Sequence, residues 1–275
     1  MARYKIFKYI LLLLLGFAWL LPLASMFLFS FAPNSDIIRM RLLPSKVTLD
    51  NYYAVFTTEI RGVSIPKALL NSLVVLVIQV TGILALDAPA AYALARLNFW
   101  GRETIFRLIL ITMMMPGHII LISLYVLMAS VGLVDTLPGL FLPGLPRVIG
   151  IFLLRQFFKE LPQEIEDAAY IDGANEWQTF IKIMLPMASP ALATLTVITV
   201  LYSWNNFLWP LVILNSPEKL TVPIAVAYLR AGTNVSQNYS ILLSASFLTS
   251  LPMILLFIFA QKWIVKGVAP TSGIK

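Results

Sequence analysis

Residues 161–190 read LPQEIEDAAYIDGANEWQTFIKIMLPMASP, a polar stretch set between long apolar runs of a 275-residue chain. Pro162 suits the first turn of a helix, where its missing N–H has no partner in any case. Glu164, Glu166 and Asp167 then fall near the positive end of that helix's dipole. Ile165, Ala168, Ala169 and Ile171 give a narrow apolar stripe. Asp172-Gly173 ends the helix, because Gly accepts the left-handed conformation of a C-terminal cap. A second helix is expected over about Asn175 to Met184, with Trp177, Phe180 and Ile181 apolar, and Pro186 leads into the next apolar run. Two readings fit so organised a loop. The small Ala168–Ala169 stripe lets a partner backbone approach closely while the acidic rim pairs with a basic partner. Alternatively the helix lies on the bilayer surface, although an anionic inner leaflet repels an acidic helix.

The rest of the chain is built for a bilayer. It is 59% hydrophobic and only 12% charged, about half the charged fraction of a soluble domain. A hydrocarbon core about 30 Å thick needs roughly 20 apolar residues in a helix. Six stretches qualify: about Tyr9 to Phe31, Ala68 to Ala95, Ile105 to Val131, Thr136 to Phe157, Met187 to Leu214 and Ser240 to Val265. The second contains Asp87; the fourth contains Arg147 and is broken by Pro138, Pro143 and Pro146. The first resembles a signal peptide in its leading Arg3, Lys5 and Lys8, but its apolar run is longer than about 15 residues and lacks a small-residue cleavage site. It is read as a retained helix. The expected fold is all-α and polytopic, one transmembrane domain over residues 1–275 with six transmembrane helices and the polar loop between the fourth and fifth.

Lys and Arg counts set the orientation. With the N-terminus inside, the inner ends and loops hold twelve (Arg3, Lys5, Lys8, Arg96, Arg102, Arg107, Arg155, Lys159, Lys182, Lys262, Lys266 and Lys275). The outer loops hold seven (Arg39, Arg41, Lys46, Arg61, Lys67, Lys219 and Arg230). The excess of positive charge inside places the 161–187 loop and both termini in the cytoplasm. Composition removes other classes. No Cys and one His exclude thiolate and multi-His metal sites, and none is expected. The net charge of +7 is scattered over segment ends rather than gathered on one face, which argues against nucleic acid. No outer segment is long enough for a catalytic core of its own, and no phosphate-cradling Gly-Lys-Ser/Thr loop is present.

The loop resembles the signature loop of ABC-importer permeases, whose core reads Glu-Ala-Ala, three residues, Gly. Here that core is Asp167-Ala168-Ala169 and Gly173, with Phe180, Leu185 and Pro186 at the family's spacing. Asp167 keeps the charge of the family's usual Glu with one methylene less reach. Further motifs are similar to those of maltose-type carbohydrate permeases. They are Leu43-Pro44 with Thr48-Leu49-Asp50-Asn51-Tyr52, Asn71-Ser72, Ala90-Ala91-Tyr92-Ala93-Leu94-Ala95-Arg96, Phe152 to Phe158, Trp204-Asn205-Asn206 and Gln261 to Gly267.

The resemblance implies the transmembrane subunit of an ATP-driven importer in a prokaryotic cell membrane, forming half of a pore for a carbohydrate. A second homologous permease, two ATP-binding subunits and an external substrate-binding protein are the implied partners, beside membrane lipid. ATP and Mg belong to the ATP-binding subunits, and this chain holds no cofactor. Within the 161–187 loop, the implied coupling helix docks an ATPase through Glu164, Asp167, Ala168, Ala169, Asp172, Gly173, Ala174 and Pro186. An importer of glycerol phosphate or another anionic solute is the alternative in the same family. An ion-coupled secondary transporter is the alternative outside it, although such folds often show repeats and none is evident here.

Several intramembrane residues are candidates for the solute path. Trp204, Asn205, Asn206 and Trp209 offer amides and ring faces suited to sugar hydroxyls, or alternatively helix–helix hydrogen bonds and an interfacial aromatic belt. His118 lines the path or bonds a neighbouring helix. Arg147 faces an acidic solute, or pairs with Asp87. Those two lie eight and nine residues before Arg155 and Arg96, so both sit about 12–13 Å in from the inner end of their spans. An isolated charge there costs several kcal/mol. Gly232 to Asn238 forms a polar outer loop, either a contact for the binding protein or a solvated connection.

Overall fold

The computed structural model describes residues 2–59, 62–231 and 238–268. Of the polar loop read at 232–238, all but Asn238 lies outside them. Among the described residues the elements are all helices. α1 (Ala2–Ser30) is followed by two short helices, α2 (Asn34–Ile38) and α3 (Asp50–Thr57), and then by α4 (Ile65–Arg96). α5 (Arg102–Met113), α6 (Leu121–Ser130) and α7 (Leu137–Phe141) lead to α8 (Val148–Glu160). The polar loop holds α9 (Gln163–Ile171) and α10 (Glu176–Thr179); a π-helical turn, Phe180–Met184, and α11 (Leu185–Met187) pass into α12 (Ser189–Trp204). α13 (Leu208–Ile213), α14 (Val222–Ala231) and α15 (Tyr239–Val268) complete the chain.

α1, α4 and α15 run 29, 32 and 30 residues. At 1.5 Å per residue each is about 43–48 Å long, more than a hydrocarbon core requires. The other three apolar stretches are broken spans. The fourth is bent by 41° between Leu137–Gly144 and α8, where the prolines were expected to break it. The third, expected as one helix over about Ile105 to Val131, is instead α5 and α6 with a break at 114–120. Pro116 there lacks the N–H that would continue the ladder, and Gly117 after it weakens the helix further. The fifth is α12, an interruption at Asn205–Phe207, and α13. Irregular backbone at membrane depth is tolerated where it is buried in protein or lines a cavity.

Residues read from sequence as one domain divide into two compact units, Met1–Leu69 with Leu220–Ile254 and Leu70–Lys219 with Leu255–Lys275. In the first, the Thr48–Tyr52 motif closes the end of α1. Asn51 Nδ2 donates to the carbonyls of Ser30 and Ala32, both at 2.9 Å, and Ser244 Oγ of α15 donates to Ser30 O at 2.7 Å. These groups satisfy carbonyls that the last turn of a helix leaves without partners. Asp36 accepts from the backbone N–H of Ser45 at 2.7 Å and pairs with Arg41 at 3.3 Å, folding the 34–45 segment on itself.

The second unit holds the larger core. Ile83, Ala91, Tyr92 and Leu94 of α4 pack with Phe106 of α5, Ile151, Leu154 and Phe158 of α8, Phe180 and Met184 of the π turn, and Leu195 of α12. Tyr92, Phe158 and Phe180 form an aromatic cluster with ring centroids 5.0–6.4 Å apart. Bulky rings from three elements therefore bury the root of the polar loop against the end of α4.

Candidate docking face and solute cavity

The loop folds as its local chemistry dictates. Pro162, with φ −60°, immediately precedes α9. Gly173 takes φ +83°, donating to Tyr170 O at 3.0 Å, and Ala174 N donates to Ala169 O at 2.9 Å. This pair of bonds is a Schellman cap, and it needs a residue that tolerates the left-handed region. α10 then starts with a reciprocal capping box. Gln178 N donates to Asn175 Oδ1 at 2.9 Å, and Asn175 N to Gln178 Oε1 at 3.1 Å. The expected second helix, about Asn175 to Met184, thus begins where predicted but widens into the π turn after Thr179.

One face of α9 is fastened to the spans. Glu166 is 6% exposed. Its Oε1 accepts from Tyr92 Oη at 3.0 Å, and its Oε2 pairs with Arg96 Nη1 at 3.3 Å. Arg96 also donates through Nε to Phe158 O at 2.9 Å and through Nη2 to Leu161 O. Those carbonyls belong to the last turn of α8 and the residue after it, where a cation is favoured. A single guanidinium therefore joins α4, the end of α8 and α9. Nearby, Arg155 is buried on α8; it donates from Nη2 to Glu103 Oε1 at 2.6 Å and from Nε to Leu94 O at 3.0 Å. Its guanidinium carbon lies 3.7 Å from the Phe106 ring centroid.

The opposite face is open. Glu164, Asp167, Ala168, Asp172, Gly173 and Pro186 are exposed, and Ala174 is half-buried. Ile171, 87% exposed, and Trp177, 62% exposed, stand beside them as apolar side chains without cover. Ala169 differs from its expected place on this face. It is buried, because it lies three residues after Glu166 and so shares the anchored side. The two alanines of the stripe thus serve opposite faces, Ala168 outward and Ala169 inward.

The broken halves of the third, fourth and fifth spans meet around a cavity of about 510 Å³. His118, Asn205, Asn206 and Trp209 all line it, joined by Gln79 and Tyr202, which sequence reasoning did not single out. Trp209 Nε1 donates to Gly139 O at 3.1 Å, which fixes the indole on the wall. Asn205 Nδ2 donates back to Leu201 O at 2.8 Å, at the end of α12. Trp204 does not line the cavity; it is 4% exposed and packed inside. The wall has amide, imidazole, phenol and indole groups, and neither a carboxylate nor a Lys or Arg. Between α6 and α7, Asp135 accepts from the backbone N–H groups of Asn215 and Ser216, both at 2.9 Å, and pairs with Lys219 at 2.9 Å.

Asp87 and Arg147 are neighbours, but not as two side chains. Asp87 is fully buried, and its Oδ1 accepts from the peptide N–H of Arg147 at 3.1 Å, just before α8. Its Oδ2 has no protein hydrogen-bond partner among the described residues. That oxygen occupies the space a side chain at Gly150 would fill, since a Cβ there would lie 2.0 Å from it. The Arg147 guanidinium stacks on the Tyr202 ring, 3.6 Å from the centroid. The carboxylate thus meets the N-terminus of α8, which carries positive partial charge, and the cation meets an aromatic face.

Comparison with known proteins agrees with this architecture. The chain is 38% identical over 274 residues to the arabinooligosaccharides transport system permease protein AraQ of Halalkalibacterium halodurans, covering 96% of each chain. It is 34% identical over 263 residues to the trehalose transport system permease protein SugB of Mycobacterium tuberculosis, covering 95% of this chain and 93% of that one. A crystal structure of a bacterial ABC transporter involved in the import of the acidic polysaccharide alginate contains a chain that superimposes with TM-score 0.86. That match is at 24% identity and covers 95% and 96% of the two chains, so it speaks for the fold. Residues 87–270 match the family described as binding-protein-dependent transport system inner membrane component, and with the relatives' coverage this chain belongs to that family of multi-pass transport permeases.

Proposed function

We propose that this chain forms half of the translocation pore of a carbohydrate importer, with a second homologous permease as the other half. Two ATP-binding subunits hold ATP and Mg; one docks on the 161–187 loop in the cytoplasm and the other on the second permease, and an external substrate-binding protein delivers the solute on the opposite side. Both termini are cytoplasmic. The observation that carries this reading is the two-sided loop helix. Its inner face is fastened to the spans through Glu166, while Glu164, Asp167, Ala168, Ile171, Asp172 and Gly173 stand exposed with a capped, pre-formed shape. Exposed apolar side chains rimmed by acids are the composition of a protein contact.

A carbohydrate as the solute rests on the relatives, named for arabinooligosaccharides and trehalose, and on the cavity's chemistry. Amide, phenol and imidazole groups hydrogen-bond hydroxyls, and Trp209 and Tyr202 supply ring faces for an uncharged sugar. A second reading, an acidic solute, is favoured by Arg147 alone, which stacks behind Tyr202 without itself lining the cavity and forms no carboxylate salt bridge among the described residues.

The test is reconstitution with the partner subunits in liposomes. ATP inside and binding protein outside should drive uptake of labelled arabinotriose or trehalose. Uptake by this chain alone on a proton or sodium gradient would overturn the importer reading. Under the acidic-solute reading, Arg147→Gln lowers uptake of an anionic solute and spares neutral sugars; the carbohydrate reading expects the neutral uptake to dominate in the wild type.

A further inference from the structure

We infer that Glu166, held by Arg96 and Tyr92, is the positioning residue that transmits movement of the docking loop into the spans. This rests on the docking reading given above and goes beyond it by naming the joint. Docking on the outer face of α9 moves the pore only if α9 is rigidly tied to a span. The backbone alone does not supply that tie. α9 is separated from α8 by Leu161 and Pro162, and from α12 by the Gly173 cap, the π turn and a 73° bend between Glu176–Met187 and Ser189–Trp204.

The side-chain tie is specific and short. Among the described residues, Glu166 is the one acid of α9 that points inward; Glu164 and Asp167 are exposed. Both of its oxygens are used, one by the phenol of Tyr92 and one by Arg96, and both partners sit on the last turns of α4. Arg96 bridges onward to Phe158 O and Leu161 O. A buried carboxylate held through both oxygens, one by a cation and one by a phenol, resists sliding, because any shift leaves an unpaired charge in an apolar setting. The neighbouring rings of Tyr92, Phe158 and Phe180 pack around it and restrict rotation. α4 in turn carries Gln79 on the cavity wall, about five turns from Arg96. Push on α9 is thereby delivered to the helix that lines the solute cavity.

The experiment reads coupling without needing the native solute. The chain has no Cys, so Asn205→Cys places a single thiol of this subunit on the cavity wall. Its rate of reaction with a membrane-impermeant maleimide is followed on this subunit's band, in the assembled complex, with and without ATP and vanadate. In the wild-type background the nucleotide should change the rate at least 5-fold. Glu166→Gln should cut that response to less than 2-fold while the ATP-binding subunits stay bound and trap the same amount of nucleotide. Tyr92→Phe, which removes only one hydroxyl, should give an intermediate response and keeps the idea testable if Glu166→Gln assembles poorly. A full response in both variants overturns the inference while leaving docking intact. Loss of the ATP-binding subunits in Glu166→Gln also overturns it, because Glu166 would then belong to the docking contact itself. No response to nucleotide in the wild-type background overturns the docking reading and this inference with it.

Discussion

Two buried carboxylates, one at the root of the polar loop and one deep in the fourth-span break, show two solutions to the same cost. Glu166 is closed by a full opposite charge and a phenol, 3.3 and 3.0 Å away. Asp87 is more buried, yet it meets only one peptide N–H, at 3.1 Å, and leaves its second oxygen unbonded by protein. The loop root lies at the end of its span, where long side chains from α4 and α9 converge and a guanidinium can also reach the carbonyls ending α8. The interior site has no such convergence. There a helix begins inside the apolar layer, and its N-terminus supplies the compensating partial charge. Glu166 ties elements together, whereas Asp87 marks where one helix starts.

The largest expected effect separates these roles. Arg96→Met leaves Glu166 buried without its cation and should destabilise the protein by about 3–5 kcal/mol, seen as a lower unfolding midpoint in detergent. Arg147→Met, which leaves the Asp87–peptide bond untouched, should cost much less. Equal losses would mean the two carboxylates are held in the same way.

Gly150→Ala comes next. Its Cβ would fall 2.0 Å from Asp87 Oδ2, and such crowding in a packed core costs typically about 1–3 kcal/mol. Asp87→Ser on top of Gly150→Ala should restore most of the loss, because the shorter side chain vacates the space. Failure of that rescue would show that the carboxylate is not what Gly150 accommodates.

A third change sharpens the comparison at the far end of α9. Gly173→Val opposes a left-handed cap by roughly 1–2 kcal/mol. Apart from its chain neighbours, nothing lies within 4 Å of the added Cβ, so loss of ATPase stimulation beyond that small destabilisation reports on a partner's surface. Wild-type stimulation in this variant would count against docking at Gly173.

The smallest effect is expected from Asp87→Asn. It keeps the oxygen that accepts from Arg147, removes a charge and puts an amide donor without a protein partner among the described residues in place of Oδ2. Relief of the buried charge offsets the cost of the unpaired donor, so the net stability change should stay within about 1 kcal/mol. Adding Arg147→Gln should leave it there. Strong rescue between the two substitutions would instead reveal a charge-to-charge pair.

Much of this was legible along the chain because it depends on short-range chemistry. Apolar length marked the six stretches, Gly173 and Asn175 marked the ends of the loop helices, and Pro143 and Pro146 marked the fourth-span break. The third-span break was less legible. A single Pro116 is compatible with a kinked helix, and the opening at Gly117–His118 is accommodated by the cavity those residues line. Residue type singled out His118, Asn205, Asn206 and Trp209 as candidates, each with an alternative role between helices, but Gln79 and Tyr202 carried no signal distinguishing them from other polar or aromatic residues in apolar helices.

What the sequence determined by itself is membrane insertion, the all-helical fold and the position of the polar loop, since hydrophobic length and backbone capping are properties of neighbouring residues. What only the tertiary structure decided is which face of α9 points inward. Glu164, Glu166 and Asp167 look alike in a list of acids, and Ala168 and Ala169 look like one stripe. The arrival of Tyr92 and Arg96 from seventy residues away selects Glu166 and Ala169 for burial and leaves the others to face outward. A partner's charge reached through space, not along the chain, sets that choice.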